Sequence, residues 1–352
     1  MQSRFLPILL VLSLVLAIGV FRSAGDETAG ATADQKLWQR ATLLFKPLPA
    51  VAANPDNPVT AAKIELGKML YFDTKLSQAG NVSCNSCHSL ATFGVDRLPT
   101  SPGDAGEHGA RNSPTVFNAA LHGAQFWDGR AEDVEAQAGM PILNPVEMAI
   151  PSQEFLVDRL AQYPDYERRF AEAFPGEEPA LTYRNIQRAL GAFERTLLTP
   201  SRFDRYLEGD REALSDLEKQ GMTTFMGYGC SSCHNGVNVG GHTFRKFGLS
   251  GQYWHHTKSP KIDQGRFEIT GDQADKYVFR VGSLRNVAET YPYFHDGSVA
   301  TLDEAVRVMV ELQIGVEIND QDLKSVVAFL ESLTGEIPET AGPLAGTAVA
   351  SD

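Results

Sequence analysis

The chain has 352 residues, of which 43% are hydrophobic and 21% charged; this excludes wholesale disorder, a collagen-like repeat and a polytopic membrane protein. Its length suggests one to three domains, with two favoured at roughly 150 residues each. The 44 acidic against 31 basic side chains give a net charge of −13, which argues against nucleic acid or an anionic membrane surface and favours a basic partner.

Arg4 precedes an apolar run from Phe5 to Phe21, followed by Ser23, Ala24 and Gly25. That layout predicts a secretory signal peptide over 1–24. The run is also close to the minimum needed to span a bilayer, about 17 residues, so an uncleaved anchor fits as well. Either way the body is expected outside the cytoplasm, in the periplasm, and loss of Arg4 and Arg22 would take its charge to −15. Residues 25–57 read as leader and linker, small and polar from Asp26 to Asp34.

Apolar residues then recur at helical spacing in four places. These are Ile64 with Gly67 to Leu70; Ile186, Leu190, Phe193 and Leu197; Leu302, Ala305, Val306, Met309 and Val310; and Leu323, Val326, Val327 and Leu330. Strand-like alternation is confined to short pieces such as Lys276 to Val281. Gly, Pro and Asn punctuate 94–118, 138–152 and 227–300, and loops that long are usually functional or wrap a ligand. The expectation is a mainly α protein with a loop-rich interior. It divides into 58–200 and 201–335, with a seam in 198–210 and a tail over 336–352 expected to fray.

The four cysteines fall in two copies of one motif, Cys84-Asn85-Ser86-Cys87-His88 and Cys230-Ser231-Ser232-Cys233-His234. Two thiols at this spacing can bond to the two vinyl groups of a haem, and the adjacent His can ligate its iron. Paired zinc ligands or redox dithiols are the alternatives. Each pair carries its own His and the chain is expected to be exported, which favours two c-type haems. What fills the second axial position then matters: Met or His gives an electron carrier, whereas an open position admits a small oxidant.

The surrounding blocks resemble the bacterial di-haem cytochrome c peroxidases from about residue 58 to 335. They include Leu66-Gly67-Lys68, Asn112-Ser113-Pro114-Thr115, Gln125-Phe126-Trp127-Asp128-Gly129-Arg130, Pro145-Val146-Glu147-Met148 and Tyr293-Phe294-His295-Asp296-Gly297. The resemblance implies two cytochrome-c-like helical domains, each wrapping one covalently bound haem, usually paired as a homodimer with calcium between the domains. It implies reduction of hydrogen peroxide to water by electrons from a small cytochrome c or copper protein.

Carried over residue by residue, the resemblance makes the haem of Cys84, Cys87 and His88 the peroxide site. The haem of Cys230, Cys233 and His234 becomes the electron entry, with Met309 as its second ligand. Glu147 takes the acid–base role beside the peroxide and Gln137 hydrogen-bonds in the same pocket. Trp127 lies between the haems and assists electron passage. Asn112, Thr290 and Pro292 match calcium positions, through a side-chain amide and backbone carbonyls.

One departure stands out. Where many members place a His sixteen residues after the first haem His, this chain has Asp104; His108, four residues later, is a substitute candidate. If neither binds, the first iron is open when oxidised and needs no reductive activation. Two other functions stay in view. One is a di-haem oxidase that modifies a protein substrate, like the enzyme maturing the quinone of methylamine dehydrogenase, which has Tyr where Met309 stands. The other is a non-enzymatic carrier with both irons closed.

Overall fold

Most of the longer helices begin at a short polar side chain that accepts a hydrogen bond from a backbone amide of the first turn, satisfying N–H groups that have no partner inside the helix. In the computed structural model, which describes residues 32–342 apart from Pro260, the first half contains α1 (Ala33–Leu44), α2 (Ala61–Phe72), the single turn α3 (Cys84–Cys87), α4 (Val134–Leu143), α5 (Gln153–Ala161), α6 (Pro164–Ala173) and α7 (Tyr183–Glu194). Thr32, Thr60, Asp133, Ser152 and Thr182 cap α1, α2, α4, α5 and α7. The expected signal or anchor over 1–24 lies outside the described residues.

The second half comprises α8 (Arg202–Leu207), α9 (Asp216–Gly227), β1 (Phe244–Lys246), α10 (Tyr253–Thr257), α11 (Phe267–Thr270), β2 (Val278–Arg280), α12 (Leu302–Ile314) and α13 (Asp320–Glu331). Strands β1 and β2 form an antiparallel pair with Phe244 opposite Arg280. The alternation at 276–281 thus yields a strand of only three residues. Among the described residues no helix is long and apolar enough to cross a membrane.

Two cores result. Leu66, Leu70, Ile142, Leu156, Phe170, Ile186, Leu190 and Phe193 bury together in the first. Phe45, Phe203, Met222, Phe225, Val326 and Phe329 do so in the second. Helices α2 and α7 pack closely because α2 carries Gly67, where a Cβ would stand 1.9 Å from the Ala189 carbonyl oxygen. The second core repeats the device: a Cβ at Gly221 of α9 would stand 1.8 Å from the Ser325 carbonyl oxygen of α13. The two halves therefore share one packing device, a glycine-notched helix pair beside each CxxCH turn.

Two stretches expected to be loose are ordered. The leader and linker region contains α1, which joins the second core through Ala41 and neighbouring Phe45. Residues 335–342, expected to fray, are tied down: the Gly335 amide donates to Asn286 Oδ1 at 3.0 Å, the Glu336 amide donates to the Pro200 carbonyl at 3.1 Å, and Ala341 is buried in the first core. Backbone pairing across the seam holds them despite their plain composition. A third, aromatic cluster of Phe247, Tyr253, Phe279, Val308 and Leu312 has Trp127, Phe294 and Met309 packed against it.

Candidate functional site

The first motif is a one-turn helix whose start is fixed by Ser83 and Ser86, each side chain reaching the other's backbone amide. His88 follows it, and its Nδ1 lies 2.9 Å from the Pro114 carbonyl oxygen. A carbonyl there holds the proton on Nδ1, leaving Nε2 with a lone pair for a metal. Burial pushes the imidazole below its ordinary value, so the neutral ligand form dominates. The Tyr71 hydroxyl donates to the His88 carbonyl at 2.6 Å. This is the local reason for the Asn112-to-Thr115 block: it supplies the carbonyl that orients the histidine.

The second motif repeats the arrangement. His234 Nδ1 lies 3.1 Å from the Gly282 carbonyl, and burial lowers the imidazole to about 4. Gly240, at φ +130°, makes this approach feasible, because a Cβ there would meet the Gly282 oxygen at 2.2 Å and His234 Nδ1 at 3.2 Å. A cavity of about 490 Å³ opens here, lined by Cys230, Cys233, His234, Met309, Phe247 and Phe279 among others. Its apolar walls, two unbridged half-buried thiols, an oriented imidazole and a thioether fit a covalently attached haem. Met309 is on α12, on the apolar stripe that also builds the aromatic cluster.

The first motif packs Cys84 against the first apolar core and has a buried carboxylate near it. Glu147 sits in a turn after α4, where its Oε1 accepts from Asn144 Nδ2 at 2.8 Å. Burial pushes its carboxyl above the usual glutamate value, with Arg130 opposing. Burial is the main cause that raises the Cys87 thiol, and the charges of Asp96 and Glu147 add to it, so the predicted acid–base residue lies within electrostatic reach of the first motif. Gln137 is half-buried on α4, whose C-terminal end feeds the Asn144–Glu147 turn.

The loop holding Asp104 and His108 closes on itself. Its ends pair at Pro102 and His108, and the Asp104 amide donates to the Glu147 carbonyl at 2.6 Å. The Asp104 carboxylate accepts from the Ala79 amide at 2.8 Å, so this side chain serves as a structural tie. His108 is exposed, with Nδ1 2.8 Å from the Thr100 carbonyl.

Trp127 connects the two surroundings. Its Nε1 donates to the Asn112 carbonyl at 2.9 Å, two residues before the Pro114 that orients His88. Its ring lines the second cavity and meets His295 edge-on with centroids 6.4 Å apart. Asn112, Thr290 and Pro292 also line this cavity. Asn112 Nδ2 donates to the Leu98 carbonyl at 3.0 Å. Among the described residues no group of three or more His, Cys, Asp or Glu is placed to hold a metal ion.

Sequence reasoning missed Asn144, Arg280 and His122. Asn144 had a signal, since Asn-Pro starts turns and the carboxylate follows three residues on. Arg280 and His122 had none, because what singles them out is that the Arg280 Nη1 and the His122 ring nitrogens meet no well-formed partner among the described residues.

Residues 61–212 match the family model described as di-haem cytochrome c peroxidase. Cytochrome c551 peroxidase of Pseudomonas aeruginosa is 46% identical over 311 residues, spanning 88% of this chain and 89% of that one. Methylamine utilization protein MauG of Methylorubrum extorquens is 33% identical, over 94% of this chain and 96% of its own. Among solved structures, a MauG-like protein associated with microbial copper homeostasis superposes with a TM-score of 0.74 at 30% identity, covering 85% of this chain and 96% of that one. The oriented His88 near its buried carboxylate and the thioether-lined cavity of His234 thus sit in a sequence that matches the Pseudomonas relative over 88% of its length, and the chain belongs to the di-haem cytochrome c peroxidase family, with its two c-type haems.

Proposed function

We propose that the chain reduces hydrogen peroxide to two waters, consuming two electrons and two protons, at the His88 site, and that electrons enter at the His234 site. The observation that carries this reading is the asymmetry of the two sites: a buried carboxylate, Glu147, beside the first motif, and a thioether, Met309, in the apolar cavity of the second. When bound, the haems supply a Lewis-acidic iron for the oxidant and a store for an electron.

The residues do the rest. Pro114 and Gly282 orient the two imidazoles through their carbonyls. Asn144 holds one oxygen of Glu147 and leaves the other free to take a proton from the near oxygen of peroxide and return it to the far one. Gln137 stands ready to hydrogen-bond in that pocket. Trp127 joins the strap that positions His88 to the wall of the second cavity. Met309 favours the reduced state of its site. Asn112, Thr290 and Pro292 are the proposed ligands of one calcium ion.

The acidic chain suits a small basic cytochrome c or cupredoxin as donor, in the periplasm, with the protein working as a homodimer. Met309, where the quinone-maturing enzyme has Tyr, favours peroxide over a protein as the substrate. The test is steady-state peroxide reduction by wild type and Glu147→Gln preparations of equal haem content. A loss of about 10²–10⁴-fold is expected for removal of an acid–base group; equal rates would remove the mechanism.

A further inference from the structure

Arg280 is a buried charge that the chain itself leaves incompletely satisfied. It ends β2, is 3% exposed, and its backbone amide donates to the Trp127 carbonyl at 2.8 Å. Its Nε donates to the Phe126 carbonyl at 3.2 Å. Its Nη1 is shielded from solvent and meets no acceptor among the described residues. The other two buried arginines among the described residues are unlike it: Arg195 holds Glu135 and Arg285 holds Asp204. Burial alone pulls the Arg280 guanidinium down to about 10. A buried charge without a counter-charge is strongly unfavourable, so the site is organised for an anion that the described residues do not provide.

The position of the side chain says which anion. Arg280 lines the cavity of Cys230, Cys233, His234 and Met309. His122 lines it too; neither of its buried ring nitrogens makes a well-formed hydrogen bond among the described residues, although Gln125 lies beside the ring, and burial, with the Arg280 charge adding to it, keeps the imidazole neutral. The walls are otherwise largely apolar. A haem placed there brings two propionate carboxylates, and a guanidinium fork matches a carboxylate in charge and geometry.

We propose that Arg280, with His122 beside it, is the seat for a propionate of the second haem, and that the same guanidinium ties this carboxylate to the strap carrying Trp127. The proposal rests on the two-haem reading above. Arg280 is thereby a positioning residue with an electrostatic consequence. Its fixed positive charge offsets the carboxylate next to the iron, which favours the ferrous state. Removing it leaves a buried carboxylate unpaired, and the ferric state gains.

The test is a spectroelectrochemical titration of both haems in wild type, Arg280→Gln and Arg280→Lys, with haem per chain counted on the same preparations. In Arg280→Gln the ferrous-to-ferric ratio of the second haem, at fixed ambient potential, is expected to fall about tenfold or more, equivalent to about 59 mV for one electron. The first haem should stay within about threefold. Arg280→Lys keeps the charge and should hold the second haem within about threefold of wild type.

A glutamine variant within about threefold of wild type, an equal shift at both haems, or a lysine variant that falls as far as glutamine would overturn the proposal. If the glutamine chain does not accumulate with both haems, the lysine chain decides alone: retention of the potential supports the seat and a tenfold loss removes it. Fewer than two haems per wild-type chain would instead remove the two-haem reading.

Discussion

The two CxxCH turns hold their histidines in the same way and differ in what surrounds them. Each imidazole gives Nδ1 to a carbonyl from a distant loop, Pro114 at 2.9 Å and Gly282 at 3.1 Å. Beside the first stands a turn that buries Glu147; around the second stand the walls of an apolar cavity that include Met309. A short covalent motif therefore defines half of each site, while long-range packing defines the half on which the proposed split into reaction centre and electron store rests.

The comparison can be broken most forcefully at Met309. Met309→Leu keeps the apolar packing of α12 and removes the sulfur. Donor-driven peroxide turnover is expected to fall about tenfold or more, with the second haem's potential lowered. Glu147→Gln should leave that potential in place, so the two variants fail in opposite halves of the reaction. A Met309→Leu protein with wild-type potential at both haems would show that sulfur is not a ligand.

The shared scaffold is open to a stability test. Gly67→Ala and Gly221→Ala each push a methyl group into the backbone of the partner helix. Each is expected to cost about 1–3 kcal/mol, lowering the thermal midpoint by about 2–4 °C per kcal/mol. Because each notch serves its own core, Gly67→Ala should weaken the first half and Gly221→Ala the second, as read by hydrogen exchange along the chain.

A smaller effect sharpens the first site. Burial raises the Glu147 carboxyl above 4.5, so it is protonated, and useless as a base, over more of the acid range. Peroxide turnover should therefore decline as pH falls through an apparent pKa above that value. Arg130 lowers this pKa, and Arg130→Gln should move the acid limb to higher pH; movement the other way would contradict the assignment. The smallest effect concerns the donor, whose turnover should fall as added salt screens its attraction to the acidic surface.

Much of this was legible in the sequence for identifiable reasons. The haem motifs are fixed by covalent spacing, and α7, α12 and α13 announce themselves by apolar period. Helices α5 and α6 went unmarked although Leu156 with Leu160, and Tyr166 with Phe170, are buried at helical spacing. The weight of charge around them, such as Asp158, Arg168 and Glu172, obscures that stripe. Asp104 looked like a vacancy in a ligand position, whereas its carboxylate caps the Ala79 amide, a role invisible without the loop's fold. The unmet hydrogen-bonding capacity of the Arg280 Nη1 and the His122 ring, among the described residues, is likewise a property of three-dimensional packing alone.

The most direct measurement loads one electron into each chain, mixes it with peroxide, and follows the second haem optically in wild type and Glu147→Gln. The account predicts rapid oxidation of the ferrous second haem in wild type and its persistence in the variant, with equal potentials before mixing. Equally fast oxidation in both would contradict the division of labour between the two sites.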